Sequence, residues 1–215
     1  AQGSTPYFDG AVRSLADGDA LADNSNSLKN FNILLAGGVV EIDGRGAPSS
    51  FTRALGTGAG QVTWNSSGGG GFAAVNGPLT VNIPSFPTSW LGTMTNEVLM
   101  FGSETANDTV TFQNDLNMGG SITREIRVID NPDSDGDRAV LTGVLASAAA
   151  GRLNKTGAGI LELQGANTIS GGITVQAGTL LVNNPSGSGT GIGPVTVTTN
   201  ATLGGIGTLA PTGTS

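Results

Sequence analysis

Short runs of strict apolar–polar alternation recur along the chain. Val40-Glu41-Ile42-Asp43, Leu79-Thr80-Val81-Asn82-Ile83 and Val110-Thr111-Phe112-Gln113 are three of them. Ile126-Arg127-Val128, Ile173-Thr174-Val175-Gln176 and Val195-Thr196-Val197-Thr198 continue the series. A period of two gives a strand one buried face and one wet face. Clusters of Gly, Asn, Pro and Ser separate the runs and predict turns. Strands this short and this regularly punctuated fit a sandwich, a barrel or a solenoid. Helical periodicity is nearly absent. Its best stretch, Arg13 to Ala22, is broken by Gly18 and predicts a turn or two at most.

Internal repetition selects the solenoid. Ala158-Gly159-Ile160-Leu161-Glu162-Leu163 returns as Ala177-Gly178-Thr179-Leu180-Leu181-Val182, and Ile173-Thr174-Val175 returns as Val195-Thr196-Val197. Ala201-Thr202-Leu203-Gly204 and Gly207-Thr208-Leu209 follow. A spacing of about twenty residues is one coil of a stacked β-repeat. Such a coil buries its apolar face only against its neighbours, spaced by the inter-strand distance of about 4.8 Å. The expected class is therefore all-β, a parallel β-helix or β-solenoid. Residues 1–60 alternate less cleanly and are expected to form irregular N-terminal strands, a cap or an assembly segment. Residues 61–215 are expected to be the β-helix proper. The run Gly68-Gly69-Gly70-Gly71 predicts either a flexible joint, which would divide two domains near Gly70, or a tight corner in one rod.

Composition narrows the chemistry. Of 215 residues, 36 are Gly and 9 are Pro, yet 37% are apolar, enough to escape disorder. Aromatic residues are 5%, which predicts a narrow core of aliphatic layers. There is no Cys and no His. Disulfides, thiolate nucleophiles, imidazole bases and ordinary zinc or copper sites are thereby excluded. A Cys-free chain also suits export across a membrane in the unfolded state. A net charge of −7 opposes binding to nucleic-acid phosphates and to anionic lipid. No apolar stretch is long enough for a membrane-spanning helix. The start at Ala1-Gln2 fits an end left by signal cleavage and equally a boundary inside a longer chain.

Lys155-Thr156-Gly157-Ala158-Gly159-Ile160-Leu161-Glu162-Leu163 is followed by Gly165-Ala166-Asn167-Thr168-Ile169-Ser170-Gly171-Gly172, then by Ile173-Thr174-Val175-Gln176-Ala177-Gly178-Thr179-Leu180. This run closely resembles the autotransporter-associated β-strand repeat of bacterial passenger domains, over 153–183. Residues 193–209 look like the start of a following repeat. A looser likeness to the segment preceding this repeat in long bacterial surface proteins covers 46–150, carried by Val62-Thr63-Trp64, Gly70-Gly71-Phe72-Ala73-Ala74 and Thr109-Val110-Thr111-Phe112. The resemblance implies a right-handed parallel β-helix, a secreted or cell-surface location on a bacterium, and structural or adhesive roles. It carries no shared active site. The outer-membrane barrel of a full autotransporter is not in this sequence, so the chain is expected either to be a fragment or to have its last coil completed by another subunit.

Candidate sites are few. Asn131-Pro132-Asp133-Ser134-Asp135-Gly136-Asp137 sets oxygen ligands at alternate positions before a Gly, as in the first half of a calcium loop. Asn131, Asp133, Asp135 and Asp137 are the candidate ligands. Thr142 stands where the closing Glu of such a loop belongs, and the competing reading is a solvated acidic turn. Asp17, Asp19, Asp23 and Asn24 form a weaker acidic patch, and Glu104, Asp108 and Asp115 are scattered turn charges. Arg124, Glu125 and Arg127 are the nearest approach to the carboxylate-plus-base groove of a polysaccharide-cleaving β-helix. On one strand Glu125 and Arg127 share a face, so a surface ion pair is the simpler account. Trp64, Trp90 and Tyr7 are too scattered to predict a sugar platform. Lys29 and Lys155 lack the glycines of a phosphate loop. Asn167, Asn183 and Asn184 sit beside corners, where Asn is an ordinary turn residue. The sequons at Asn65, Asn107, Asn154 and Asn200 matter only in a glycosylating host.

The expectation is a non-catalytic structural or adhesive component of the bacterial exterior, without a required cofactor and with calcium as the one candidate ion. Its partners would be further copies of itself, stacked head to tail into filaments. The alternatives are a module that binds glycans or host surfaces and, less favoured, a polysaccharide-cleaving enzyme.

Overall fold

A computed structural model describes residues 32–64, 68–86, 90 and 98–209, together with the backbone of two short strands at 7–8 and 12–14. Among these residues the chain winds as a parallel β-helix. One face is an eight-stranded sheet: β2 (Val12–Ser14), β4 (Val39–Asp43), β7 (Gly70–Val75), β9 (Leu99–Phe101), β12 (Thr123–Val128), β15 (Arg152–Thr156), β17 (Ile173–Val175) and β19 (Val195–Val197). A second face is a seven-stranded sheet: β5 (Ser49–Phe51), β8 (Leu79–Val81), β10 (Thr109–Phe112), β13 (Arg138–Leu141), β16 (Ile160–Leu163), β18 (Gly178–Val182) and β20 (Ala201–Gly204). The third face comes between the second and the first in chain order. It is β1 (Tyr7–Phe8), β3 (Ile33–Leu35) and β6 (Val62–Trp64) in the early coils, then β11 (Leu116–Asn117) and β14 (Leu145–Ala146). An isolated parallel bridge from Ala146 to Thr168 extends it by one coil. Every pair of strands runs parallel, as one-directional winding requires.

Alternation becomes stacked columns. On the second face Phe51, Val81, Phe112, Leu141, Leu163 and Val182 lie in register, all pointing inward and buried. On the first face Val40, Phe72, Phe101 and Val128 do the same. Burying each side chain contributes about 1.5–3 kcal/mol relative to exposure. The columns also measure the coils. Steps on the second face are 30, 31 and 29 residues from Phe51 to Leu141, then 22 and 19 to Val182. The period of about twenty is thus the period of the last coils, and the earlier coils are half as long again. Much of the difference at Lys155 lies at the corner from first to second face: residues 129–137 separate β12 from β13, but only 157–159 separate β15 from β16.

Core chemistry follows coil size. The expected aliphatic layers fill the short coils: Leu153, Leu161, Leu163, Ile173, Val175, Leu180 and Val182. The long coils enclose more space and hold aromatic side chains instead. Phe72 lies 4.7 Å from Phe51 and 6.0 Å from Trp64, centroid to centroid, and Phe101 lies 5.8 Å from Phe112. The glycine run is a corner leading into β7, which pairs on both edges, with β4 and β9. A Cβ on Gly71 would sit 1.6 Å from the Met100 carbonyl oxygen, so only glycine lets these two coils meet. Of the stretch Arg13 to Ala22, Arg13 and Ser14 belong to β2 and the rest lies outside the described residues.

Candidate functional site

The acidic loop 130–137 spans the long corner between β12 and β13, and its own hydrogen bonds close it. The Asn131 amide N–H donates to Asp137 Oδ2 at 2.9 Å, the Asp133 N–H to Asn131 Oδ1 at 3.1 Å, and the Ser134 N–H to the Asn131 carbonyl at 3.0 Å. Asn131 Nδ2 donates to the Ala106 carbonyl of the preceding coil at 2.8 Å. Asn131 and Asp137 are buried, whereas Asp133 and Asp135 point to solvent. Burial pushes the Asp137 carboxyl up from its ordinary value, against the Asn131 N–H that draws it down. The structure thus brings Asn131 and Asp137 together as a turn clasp and leaves the other two carboxylates apart. Among the described residues no group of three or more carboxylates could hold a metal ion.

Arg124, Glu125 and Arg127 do not form a groove. Glu125 and Arg127 share the outer surface of β12 as an ion pair at 2.9 Å, and Thr156 of the next coil donates to the same Glu125 oxygen at 2.6 Å. Arg124 points the opposite way, into the core, where its guanidinium lies 5.7 Å from the Trp90 ring centroid and Nε donates to the Met118 carbonyl. Trp64 and Trp90 are buried, Trp64 donating from Nε1 to the Gly70 carbonyl at 2.9 Å, so neither offers a platform to a sugar. A shallow hollow of about 200 Å³, lined by Asp115, Leu116, Asn117, Val144 and Ala146, lies beside β11 and β14. Asp115 Oδ1 is taken there by the Val144 N–H at 2.7 Å. The Asp17, Asp19, Asp23 and Asn24 patch and the Tyr7 side chain lie outside the described residues.

Asparagine does more than turn the chain. Asn107 Nδ2 donates to Asn76 Oδ1 at 3.2 Å, and Asn76 Nδ2 to Asp43 Oδ1 at 3.3 Å, a ladder up three coils. Asn114 Nδ2 reaches Asn82 Oδ1 at 3.4 Å in a second. Separations of 33, 31 and 32 residues were the signal, and the clearer repeat of about twenty in the last coils obscured it. Asn167 instead stitches backbone: Oδ1 accepts from Leu145 N–H at 2.7 Å and Nδ2 donates to the Gly189 carbonyl at 2.6 Å. Asn183 and Asn184 accept from Ile206 and Thr208 of the next coil, both at 3.0 Å.

Lys155 is the residue that sequence reasoning missed. It takes an inward position on β15, between Ile126 and Val175, and is fully buried. Its Nζ donates to the Gly157 and Gly159 carbonyls at 2.6 Å each and to the Ala177 carbonyl at 2.9 Å. Desolvation pushes its pKa down to about 8, and the nearby Asp130 charge pulls it part of the way back. Only a lysine inside an otherwise strict apolar alternation hinted at this.

Residues 153–182 match the passenger-associated-transport-repeat family. The chain is also 33% identical over 150 residues, 68% of its length, to the adhesin BmaC autotransporter of Brucella suis biovar 1 (strain 1330). It spans 4% of the length of that adhesin. No solved structure gives a significant match. The short coils from β15 to β18 are the segment that matches, and the chain is a β-solenoid protein carrying an autotransporter passenger repeat.

Proposed function

We propose that this chain is a non-catalytic adhesive rod displayed outside a bacterial cell. The likeness to the BmaC adhesin over 150 residues carries the reading. The fold supports it: parallel stacking makes a stiff, elongated scaffold, and corners such as 129–137 change length without disturbing the columns inside. Glycans or proteins of a host surface are the ligand classes, held by polar faces such as Thr123, Glu125 and Arg127 with Arg152, Asn154 and Thr156. The test is binding of the purified monomeric chain to glycan arrays and to immobilised matrix proteins, with competition against attachment of bacteria that carry it. Saturable binding that blocks attachment supports an adhesin. Turnover of a polysaccharide would overturn the non-catalytic part, and no binding on any surface would overturn the adhesive part.

A further inference from the structure

We infer that the hollow on the outside of the third face, beside β11 and β14, binds one terminal, neutral pyranose ring of a host glycan. The inference deepens the adhesive reading and rests on it for the source of the ligand. Strand register makes the hollow. Leu116 and Leu145 are paired and buried in the core, so the residues flanking each of them point outward: Asp115 and Asn117 from one coil, Val144 and Ala146 from the next. Thr168 follows Ala146 across a bridge to the coil after that, and it is exposed. The row Asn117, Ala146, Thr168 thus sets a single methyl group between two longer polar side chains. The small residue leaves a space of about 200 Å³.

Two polar groups are held ready at this hollow. Asp115 Oδ1 accepts the Val144 N–H at 2.7 Å, and Asn117 Oδ1 accepts the Gly119 N–H at 2.9 Å. Each bond engages one end of its side chain and fixes where the other end points. Among the described residues no other hydrogen bond engages Asp115 Oδ2 or Asn117 Nδ2. The pair therefore offers a charged acceptor and a two-hydrogen donor, about 6.6 Å apart along the strand at 3.3 Å per residue. Hydroxyls on opposite sides of one pyranose ring fit such a pair, because each hydroxyl both donates and accepts. Val144 and Ala146 supply an aliphatic floor for the C–H face of the ring. The same set turns other ligands away. A metal ion takes oxygens only, and the Asn117 amide hydrogens repel it. Neither Lys nor Arg lines the hollow, and the Asp115 carboxylate repels sulfated or carboxylated sugars. A space this small, without an aromatic floor, predicts a Kd on the order of 1 mM for one ring. Many copies on one cell would add avidity.

The test is titration of the isotope-labelled chain with the methyl pyranosides of glucose, galactose and mannose, followed by amide chemical shifts in NMR. Glucuronic acid is the charged comparison. At least one neutral sugar should shift the Val144 and Gly119 amides saturably, since their N–H groups hold the two side chains. Glucuronic acid should shift neither. Asp115→Asn keeps an oxygen for the Val144 N–H but removes the charge, and should weaken binding about tenfold. Ala146→Leu fills the hollow from an outward position and should abolish binding, with the rest of the spectrum unchanged. No saturable shift with any of the neutral sugars, equal binding of glucuronic acid, or binding that survives Ala146→Leu overturns the inference. If Ala146→Leu disturbs the fold, undiminished binding by Asp115→Asn overturns it instead. The adhesive reading is tested apart from this site. Glycan-array binding by the parent chain that persists in Ala146→Leu removes only the hollow. A parent chain that binds no surface, with sugar still titrating the hollow, removes only the adhesive reading.

Discussion

Replacing Asn167 by Ala should reveal what its buried amide contributes. Asn167 is 3% exposed, and its side chain joins three successive coils, from Leu145 through its own to Gly189. Both bonds are buried and short, at 2.7 and 2.6 Å. Alanine leaves the Leu145 N–H and the Gly189 carbonyl without this partner. A buried polar group that loses its partner costs about 1–3 kcal/mol, so two of them cost about 2–6 kcal/mol. Water entering the space left by the amide would bring the loss towards the lower end. Asn183 supplies the control, since its carbonyl accepts one exposed N–H, that of Ile206. Asn183→Ala should cost less than about 1 kcal/mol, because water replaces the lost acceptor. Urea unfolding followed by tryptophan fluorescence and far-UV circular dichroism measures both variants. The two probes must coincide before a single free energy is assigned, since a solenoid can unfold in sections. A loss below about 1 kcal/mol for Asn167→Ala, or equal losses for the two variants, would refute the stitching role and restore Asn167 to a plain turn residue.

Gly71→Ala should destabilise by more than an ordinary overpacked core residue, above about 3 kcal/mol, because its Cβ meets the Met100 backbone oxygen rather than a movable side chain; a smaller loss in urea unfolding would show that the coils can separate there. The Lys155 pKa is lower in the folded chain, at about 8, than the ordinary 10.5. Between these values the unfolded state binds more protons, so stability should rise with pH by about 3 kcal/mol in all, and a fall over that range would contradict the burial of the ammonium. Asp137 has the opposite linkage: its raised pKa means that ionisation costs stability. Asp137→Asn should therefore be no less stable at pH 7, with the difference closing in acid once the parent carboxyl is protonated. Melting in excess calcium and in EDTA tests the loop as an ion site: the dispersed carboxylates predict equal Tm, and a calcium-induced rise removed by Asp133→Asn and Asp135→Asn would assign calcium to it. Arg127→Ala should change stability by less than about 1 kcal/mol, since its pair with Glu125 is exposed, and a larger effect would point to packing by the arginine stem.

The sequence by itself determined the class of the fold and which residues of many strands face inward. Residues such as Val110 and Phe112, or Ile173 and Val175, alternate so strictly that a parallel stack buries them and leaves Thr111 and Thr174 outside. It also determined the passenger repeat, because coils of nearly equal length put equivalent residues at nearly equal spacing from Ala139 through Leu161 and Leu180 to Leu203. Glu125 and Arg127 could be paired from the sequence because same-face neighbours on a strand lie two residues apart. What the sequence could not decide was everything that depends on which coil lies beside which. Long and variable corners hid the early coils, so Asp43, Asn76 and Asn107 could not be seen as one ladder until the strands were in register. The acidic loop was legible as a spacing of oxygens, but the direction of each carboxylate is set by the clasp between Asn131 and Asp137 and by the Ala106 carbonyl of another coil. Lys155 is the clearest case. Its alternation says buried and its chemistry says exposed, and only the three carbonyls gathered by two adjacent corners resolve the conflict, because hydrogen bonds from a neighbouring coil have no trace in local sequence.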